Sequence, residues 1–549
     1  MSSLPSALAY AKGTCANPDR GWAIDFAGYE YLIEPLNDLA PRMVIQKAAQ
    51  VGATVMAIVR ALWFIDVKRA HTMYLFPTHR GAARFSQGRL GVLLERSAYL
   101  RTLFRQVRNA AHLRAGAVNL YCHGSRSRPD LLSTPVQYLT LDERDELYLG
   151  SLDSPQPWSA VELARQRLSG QREAWELSLS TPTIPGHGIA ADFAASDQNH
   201  YELFCPHCQR YITPTWPDAL QWPADSARWA AGRERSFPVA PASRVGSAGQ
   251  ESPLFICQAC GRPWTEAERR GAVRAGRWRP RYPGRPVRGY HLSQLISPAA
   301  SAAKLADQWL AARDNPAGLQ VFYNSVLGLP YVAEGARLEP RCLADAIARG
   351  GERMAPSSQG SIMGVDVGPT WLYVVIAEPV GADLRIVWAG KVLAWRQLAE
   401  MIRRYRVDAF VIDAQPETHL ARDLVRAFPQ GVLCYYRGPD SGFTFHAAAR
   451  TLSVSRTESL DAMYLRWRAG KVIAPADLPA EFAEHLRALV RVVRIGRDGQ
   501  PVADYVEAGG PDHYAHARNY CELALRFRGR PLVFEVTVPA RDGTPAWAG

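Results

Sequence analysis

Lysine is nearly missing from this chain. Only Lys12, Lys47, Lys68, Lys304, Lys391 and Lys471 occur in 549 residues, beside 58 arginines. A high G+C genome accounts for that ratio as well as function does. The net charge of +12 still favours a polyanionic partner, and arginine suits phosphate because its planar fork makes paired hydrogen bonds. Long apolar runs are also missing. Nothing approaches the roughly 18 apolar residues of a membrane-spanning helix, so no membrane contact is expected. Met1-Ser2-Ser3-Leu4-Pro5 lacks the basic and long apolar regions of a secretion signal, and a cytosolic protein is expected. Cysteine is scarce and odd in number, at nine, which argues against a complete disulfide framework.

A chain of this length exceeds one core, so two to four domains are expected. Its most informative stretch is Met43-Val44-Ile45-Gln46-Lys47-Ala48-Ala49-Gln50-Val51-Gly52-Ala53-Thr54. An apolar strand runs into a loop of small residues, then into the helix-forming Val55-Met56-Ala57-Ile58-Val59. This is the plan of a phosphate-binding P-loop, where backbone N–H groups and a helix N-terminus cradle an anion. The usual lysine between Gly and Thr is replaced by Ala53. Either the loop binds no nucleotide, or Lys47 reaches the phosphates from its first position.

The surroundings extend the plan. Trp22–Tyr29 and Tyr31–Leu36 offer aromatics that could stack on a base or simply pack. His71–Thr78 and the arginine-rich Arg80–Leu94 continue a strand–helix alternation, the start of a parallel α/β domain. Val136-Gln-Tyr-Leu-Thr-Leu-Asp142-Glu143 is a buried-strand pattern ending in two acids. A nucleotide hydrolase needs one carboxylate on Mg²⁺ and a second to polarise water. Asp145-Glu146 follows at once, so the register is open. Leu177–Thr183 is a further strand ending in hydroxyl residues, a place from which a γ-phosphate could be sensed; a strand closed by a Pro turn fits equally well.

Cys205-Pro-His-Cys208 and Cys257-Gln-Ala-Cys260 supply four thiolates for a closed, structural Zn²⁺ site. Redox-active pairs are the alternative, and His207 is expected to be a bystander. The stretch 224–253, rich in Pro, Ser and Gly, suggests a flexible insertion. Arg262–Tyr290 interleaves nine arginines with Trp264, Trp278, Tyr282 and Tyr290, which suits either a nucleic-acid surface or a solvated face. Residues 290–335 read as a helical return to the first domain, and 354–360 as a linker.

The second half opens with Ile362-Met-Gly-Val-Asp366-Val-Gly368 and the strand Trp371–Ala377, a hairpin with an acid inside its first apolar strand. A carboxylate there needs a partner, because burying a charge alone is costly. Ala409-Phe-Val-Ile-Asp413 repeats the arrangement. Late in the chain, Gly509-Gly-Pro-Asp512-His513-Tyr-Ala-His516 opens a helix that Asp512 could simply cap. Hairpin-Asp, strand-Asp, then helix-Asp/His is the order of parts in an RNase H-like nuclease using two metal ions.

Taken together, these blocks resemble the large terminase subunit of tailed phages, of the lambda-like GpA type. The resemblance covers roughly residues 20–530. It is carried by Phe76-Pro-Thr with its arginine-rich helix, Ser180-Thr-Pro-Thr, Ser196-Asp-Gln ahead of the first Cys pair, Leu292–Pro298, and Phe322-Tyr-Asn-Ser-Val-Leu-Gly. It implies an ATP-driven motor that packs double-stranded viral DNA into a procapsid and cuts concatemeric DNA. By the resemblance, residues Gln46 to Thr54 bind ATP with Lys47 on the phosphates, Thr54 and Asp142 hold Mg²⁺, and Glu143 activates water. Relatives carry an arginine near Gln50, so that charge must come from elsewhere, for example a neighbouring subunit. Asp366 and Asp413 match two nuclease metal ligands. The third ligand is open among Asp512, His513 and His516, with Asp512 preferred and His516 as its helper. Histidine at such a site would favour Mn²⁺ over Mg²⁺.

The implied architecture is α/β and multidomain: a RecA/P-loop-type ATPase (1–200), a zinc-ribbon-like basic insertion (201–290), a helical return with linker (291–352), and an RNase H-like endonuclease (353–549). The implied partners are a small terminase subunit, a portal or procapsid, and further copies in a ring. The implied place of action is the host cytoplasm, outside the mature virion. Two other readings are a helicase-like translocase–nuclease of repair or restriction, and a non-enzymatic zinc-ribbon DNA scaffold with a dead P-loop. The first requires helicase motifs in a second RecA-like domain, and none is found.

Overall fold

A computed structural model describes residues 5–15, 24–147, 159–222, 252–351, 353–355, 360–438, 442–495 and 501–529, apart from residues 106, 110, 133, 298 and 509. Trp22, nearly all of 224–253 and most of the expected linker lie outside these. The chain divides into two compact units, residues 1–149 with 158–331, and residues 150–157 with 332–549.

The first unit is built on one large sheet. Its strands are β1 (Arg42–Lys47), β2 (Thr72–Phe76), β3 (Val107–Arg108), β4 (His112–Ala115), β5 (Val118–Gly124), β6 (Tyr138–Asp142), β7 (Trp175–Ser180), β8 (Asn199–Phe204), β9 (Tyr211–Ile212), β12 (Arg277–Pro280) and β13 (Arg288–Leu292), while β10 (Leu220–Gln221) and β11 (Leu254–Phe255) form a separate pair. The order is β12-β8-β13-β1-β7-β6-β2-β5-β4-β3, with β9 beside β8. From β8 to β5 all neighbours are parallel. Parallel strands are covered on both faces, which is why β1, β2 and β6 read as nearly unbroken apolar runs and are buried along nearly their whole length. The helix Ala53–Asp66 follows the P-loop and buries Met56, Ile58, Leu62, Phe64 and Ile65 against this sheet's core. Each such side chain contributes about 1.5–3 kcal/mol. β7, carrying the hydroxyl-rich end, lies between β1 and β6. The ends of β1 and β6 therefore open at the same carboxyl edge, where α/β sheets bind ligands.

Two expected boundaries move. The described residues of 201–290 are no separate body, since β8, β12 and β13 are strands of the main sheet and Cys205, Leu220, Phe255, Cys257 and Trp264 share its core. The helical return ends at Tyr331, not 352. Residues 332–351 pack in the second unit: Leu338 and Ala346 enter its core, and the Ala346 carbonyl accepts from the Ala474 N–H.

The second unit holds strands β14 (Ser361–Val367), β15 (Leu372–Val380), β16 (Asp383–Val392), β17 (Val407–Asp413), β18 (Gly431–Arg437), β19 (Phe443–His446), β20 (Thr451–Ser455) and β21 (Val472–Ile473), in the order β19-β20-β18-β17-β14-β15-β16-β21. β14, β15 and β16 run antiparallel, whereas β17, β18 and β20 extend the sheet in parallel from β14. A hairpin, β22 (Leu489–Ile495) with β23 (Pro501–Glu507), stands apart from this sheet. Side chains alternate between two cores. Met363, Val365, Phe410 and Ile412 face one, and Ile362, Ala409 and Val411 face the other. By that alternation Asp366 and Asp413 lie on the second face, where the helix His513–Ala524 packs through Tyr514, Ala517 and Cys521.

Candidate nucleotide and nuclease sites

The P-loop is held from outside by the helical return. Gln46 Nε2 donates to the Gly328 carbonyl at 2.8 Å. The N–H groups of Ala48 and Ala49 donate to Leu292 and Ser325 carbonyls at 2.6 and 2.7 Å. Gln294 Nε2 reaches the Ala49 carbonyl at 3.0 Å, and the Tyr31 hydroxyl reaches the Val51 carbonyl at 3.1 Å. Tyr31 is thus a packing and fastening residue. With Ala48 and Ala49 engaged, the N–H groups from Gln50 to Thr54 are the part of the loop left to meet an anion. Gln50 (φ 58°) and Gly52 (φ 81°) are both left-handed, which is costly for glutamine and typical of ligand loops. Ala53 opens the helix and half-buried Thr54 stands second in it.

Lys47 is buried, and its Nζ lies 3.1 Å from Glu143 Oε1. Two residues 96 positions apart thereby meet at the mouth of the loop. Asp142 is buried beside them, accepting from the Tyr74 hydroxyl at 2.9 Å and the Glu143 N–H at 3.0 Å. Burial, then the Glu143 charge, push its carboxyl up to about 6, against the pull of Lys47. Glu143 has φ 51°, so the strand ends in a turn that swings the second acid towards Lys47. Asp145, the competing acid, is spent on backbone N–H groups and a hydroxyl within the fold.

The four sulfurs of Cys205, Cys208, Cys257 and Cys260 lie within 4.8 Å of one another, and all four thiols are free. The pairs Cys205–Cys260 and Cys208–Cys257 are 4.0 and 3.7 Å apart. A tetrahedron with Zn–S of about 2.3 Å has edges of about 3.8 Å, which these two separations match. His207 points to Glu268, at 3.3 Å, and not to the sulfurs.

The aromatics of Arg262–Tyr290 turn inward: Trp264, Trp278 and Tyr290 are buried. Arg277 and Arg279 pair with Glu202, and Arg288 with Asp38 and Asp197. Tyr282 alone among these aromatics is exposed, with the Arg285 guanidinium 4.0 Å from its ring centre. Most of this stretch is core and paired surface.

In the second unit, Val365 faces Ile412 across the parallel pair β14–β17. Asp366 and Asp413 are the next residues on each strand, side by side at the carboxyl edge. The helix His513–Ala524 comes down on β14 at Gly364, where a Cβ would sit 2.1 Å from the Ala517 carbonyl oxygen and the Cys521 nitrogen. Only glycine permits that approach. It brings His513, at the start of the helix, to Asp366. His513 Nδ1 meets Asp366 Oδ2 at 2.8 Å, with its ring stacked on Tyr373 at 4.3 Å. Burial disfavours the His513 cation, yet the hydrogen bond and charge of Asp366, then Asp512, raise its pKa.

His516, expected to help hold a metal, stands differently. Its Nε2 meets Asp512 Oδ2 at 3.1 Å and its Nδ1 meets the Tyr436 hydroxyl at 3.2 Å. The direction of these bonds follows from the far end of the hydrogen-bond chain. Ser459 donates to the Arg456 carbonyl, so it must accept from Asn519 Nδ2, at 2.9 Å. That same amide donates to Tyr436 at 2.8 Å. Tyr436 then donates to Nδ1, and His516 carries its proton on Nε2, facing Asp512. With both nitrogens engaged, His516 orients Asp512 and has no lone pair left for a cation. Asp512 is held well below the usual carboxylate range, burial being outweighed by His516 and Arg456.

Sequence reasoning missed Tyr373, Tyr436 and Asn519. The signal for Asn519 was present, because 512, 516 and 519 run down one helical face; strand-borne Tyr436 and Tyr373 gave none. Glu507, at the end of β23, was also missed; burial and then the Asp512 charge raise its carboxyl.

Fold and sites together define a P-loop ATPase fold followed by an RNase H-like nuclease fold. Two family models match: phage terminase large subunit gpA, ATPase domain, over residues 30–278, and terminase large subunit gpA, endonuclease domain, over residues 287–428. The chain belongs to the gpA family of phage terminase large subunits. It is 24% identical over 335 residues to the terminase large subunit of Enterobacteria phage P21, covering 57% of this chain and 50% of that protein; it thus spans half the length of that curated relative. In fold it is similar to the HK97 bacteriophage large terminase, with TM-score 0.52 and 12% identity, covering 95% of this chain and 100% of that one. A weaker likeness, with TM-score 0.32 and 11% identity over 91% of this chain and 100% of the other, is to the large terminase of a thermophilic bacteriophage. The ATPase match contains Lys47, Asp142, Glu143 and the four cysteines; the nuclease match contains Asp366 and Asp413 and stops before Asp512.

Proposed function

We propose that this protein hydrolyses ATP to drive double-stranded viral DNA into a procapsid, and that its second unit cuts concatemeric DNA with two divalent metal ions. The observation that carries the reading is the meeting of Lys47, Glu143 and Asp142 at the end of β1. A P-loop without its usual lysine is competent only if another lysine reaches the phosphates, and Lys47 is buried at that point. Gln46 and the carbonyls of Ala49 and Val51 hold the loop in shape, while the N–H groups from Gln50 to Thr54 cradle the phosphates. Before nucleotide arrives, Lys47 neutralises Glu143. A bound γ-phosphate competes for Lys47 and frees Glu143 to accept a proton from the attacking water. Thr54 and Asp142 would hold Mg²⁺, which neutralises charge on the phosphates when bound.

In the nuclease unit Asp366, Asp413 and Asp512 would supply carboxylate oxygens, donors suited to Mg²⁺ or Mn²⁺. His513 orients Asp366 and His516 orients Asp512, as partners behind ligands commonly do. The four cysteines would hold a structural Zn²⁺ that links the segment after β8 to the segment after β11. Delivery by a small terminase subunit, docking on a portal, assembly into a ring and action in the host cytoplasm complete the reading. Among the described residues no helix is long and apolar enough to cross a membrane.

Purified protein should hydrolyse ATP faster with duplex DNA, and Lys47→Ala should lower that rate by about a hundredfold or more, the scale of losing a main phosphate contact. Asp366→Ala should abolish metal-dependent plasmid cutting while leaving ATP hydrolysis intact. Equal hydrolysis by the chain and its Lys47→Ala variant sinks the motor reading.

A further inference from the structure

Asp145 lies two residues beyond Glu143, buried and outside the nucleotide site. Its carboxylate collects three donors from two residues of the 180–189 segment. Oδ2 accepts from the Thr183 N–H at 2.9 Å and the Thr183 hydroxyl at 2.7 Å. Oδ1 accepts from the Ile189 N–H at 2.6 Å. Gly188 (φ +52°) brings that N–H in, and a Cβ there would fall 2.2 Å from Oδ1. The Asp145 N–H itself donates to Ser180 Oγ at 3.3 Å. Neighbouring Arg144 fastens to Asp192 of the helix Gly188–Ala194 at 3.1 Å. The turn bearing Glu143 is thus clamped to residues 180–192.

The clamp continues. The Thr183 carbonyl accepts from Asn324 Nδ2 at 2.9 Å and from the Tyr331 N–H at 3.2 Å. Tyr331 is the last residue of the first unit, after which the chain enters the second. A continuous path of short bonds therefore runs from the acid paired with Lys47 to the chain's exit from the ATPase unit. At its start the Asp145 carboxylate makes three of the bonds, beside the Arg144–Asp192 pair.

We infer that Asp145 is a positioning residue which couples the state of Glu143 to the 180–189 segment and, through Thr183, to the exit at Tyr331. The inference rests on the ATPase reading above. When Glu143 leaves Lys47, its turn shifts, and the buried carboxylate carries Thr183 and Ile189 with it. Contiguous bonds alone do not demonstrate coupling; a measured interaction between the ends does.

The test uses the full chain and reads three quantities: affinity for a fluorescent ATP analogue, basal ATP hydrolysis, and hydrolysis with duplex DNA. In Asp145→Asn the amide cannot accept at both positions. Analogue affinity is expected to stay within about threefold, while the ratio of DNA-stimulated to basal rate falls by about tenfold, within the usual range of coupling between sites. Thr183→Val, which removes one hydroxyl, should lower the ratio in the same direction, and Thr183→Ser should restore it. Should Asp145→Asn fail to fold, the Thr183 pair decides. An unchanged ratio in Thr183→Val overturns the inference while the ATPase reading stands. A loss of analogue affinity equal to the loss of rate also overturns it, because the residue then acts on binding. No hydrolysis by the unaltered chain sinks the parent reading, and this one with it.

Discussion

At the scale of single residues, burial decides which groups can hold charge. His291 on β13 is half-buried, and its Nε2 lies 3.0 Å from the Leu327 carbonyl. Burial first, then the neighbouring His200, lower its pKa from 6.5 to about 4, against the pull of the Leu327 and Gly328 carbonyls. In the unfolded chain the imidazole binds a proton below its ordinary value, and in the fold it refuses one. The stabilisation is therefore complete above pH 6.5 and is lost as pH falls towards 4. Its full span is roughly 3 kcal/mol. Urea unfolding of the first unit at about pH 7 and about pH 5 should show the loss, and His291→Gln should flatten the difference; an equal slope in both proteins refutes the assignment. Lys47 is the counterpart among cations, a buried charge answered by Glu143 at 3.1 Å. Its importance was legible because lysine is so rare here. Its direction was not, since Glu143 comes from a strand nearly a hundred residues away.

At the scale of elements, the two sites depend on where a strand ends and what packs across it. The helix His513–Ala524 reaches β14 only because residue 364 has no side chain. Gly364→Ala should cost about 3 kcal/mol of stability, an overpacking penalty against backbone on both sides. It should also weaken cutting more than Thr451→Ser does at a distance. A denaturation midpoint within error of the parent would show that the helix can retreat. Apolar strands ending in Asp142 and Asp413, and one carrying Asp366 near its end, were readable from pattern alone, because both-face burial leaves a continuous apolar run. The arginine- and aromatic-rich stretch 262–290 read as a possible nucleic-acid surface for the opposite reason. Pattern does not say which face a Trp or Tyr takes, and β12 and β13 turn Trp278 and Tyr290 into the core.

At the scale of the whole molecule, the chain holds two cores, and the boundary between them is a matter of packing. The nuclease family match begins at residue 287, yet β13 belongs to the first sheet. Composition placed the boundary at 352, where Pro, Gly and Ser accumulate. Leu338 and Ala346 nevertheless join the second core. A fragment beginning at 332 should melt several degrees above one beginning at 353, because truncating two buried apolar contacts and a helix costs a few kcal/mol. Equal melting temperatures would return the boundary to the linker.

The sequence by itself determined the fold class, the order of the two units, the four cysteines and the strand-end acids. These are local facts, set by periodicity, spacing and residue type along short stretches. Tertiary structure alone decided that Lys47 meets Glu143, that Asp145 is a clamp and not a metal ligand, and that His513 serves Asp366 while His516 serves Asp512. Each of these joins segments from 38 to 147 residues apart, except the last, whose direction is set by Ser459 and Tyr436 on other elements. Long-range pairing of polar side chains depends on which faces of which strands come together, and no local pattern encodes that.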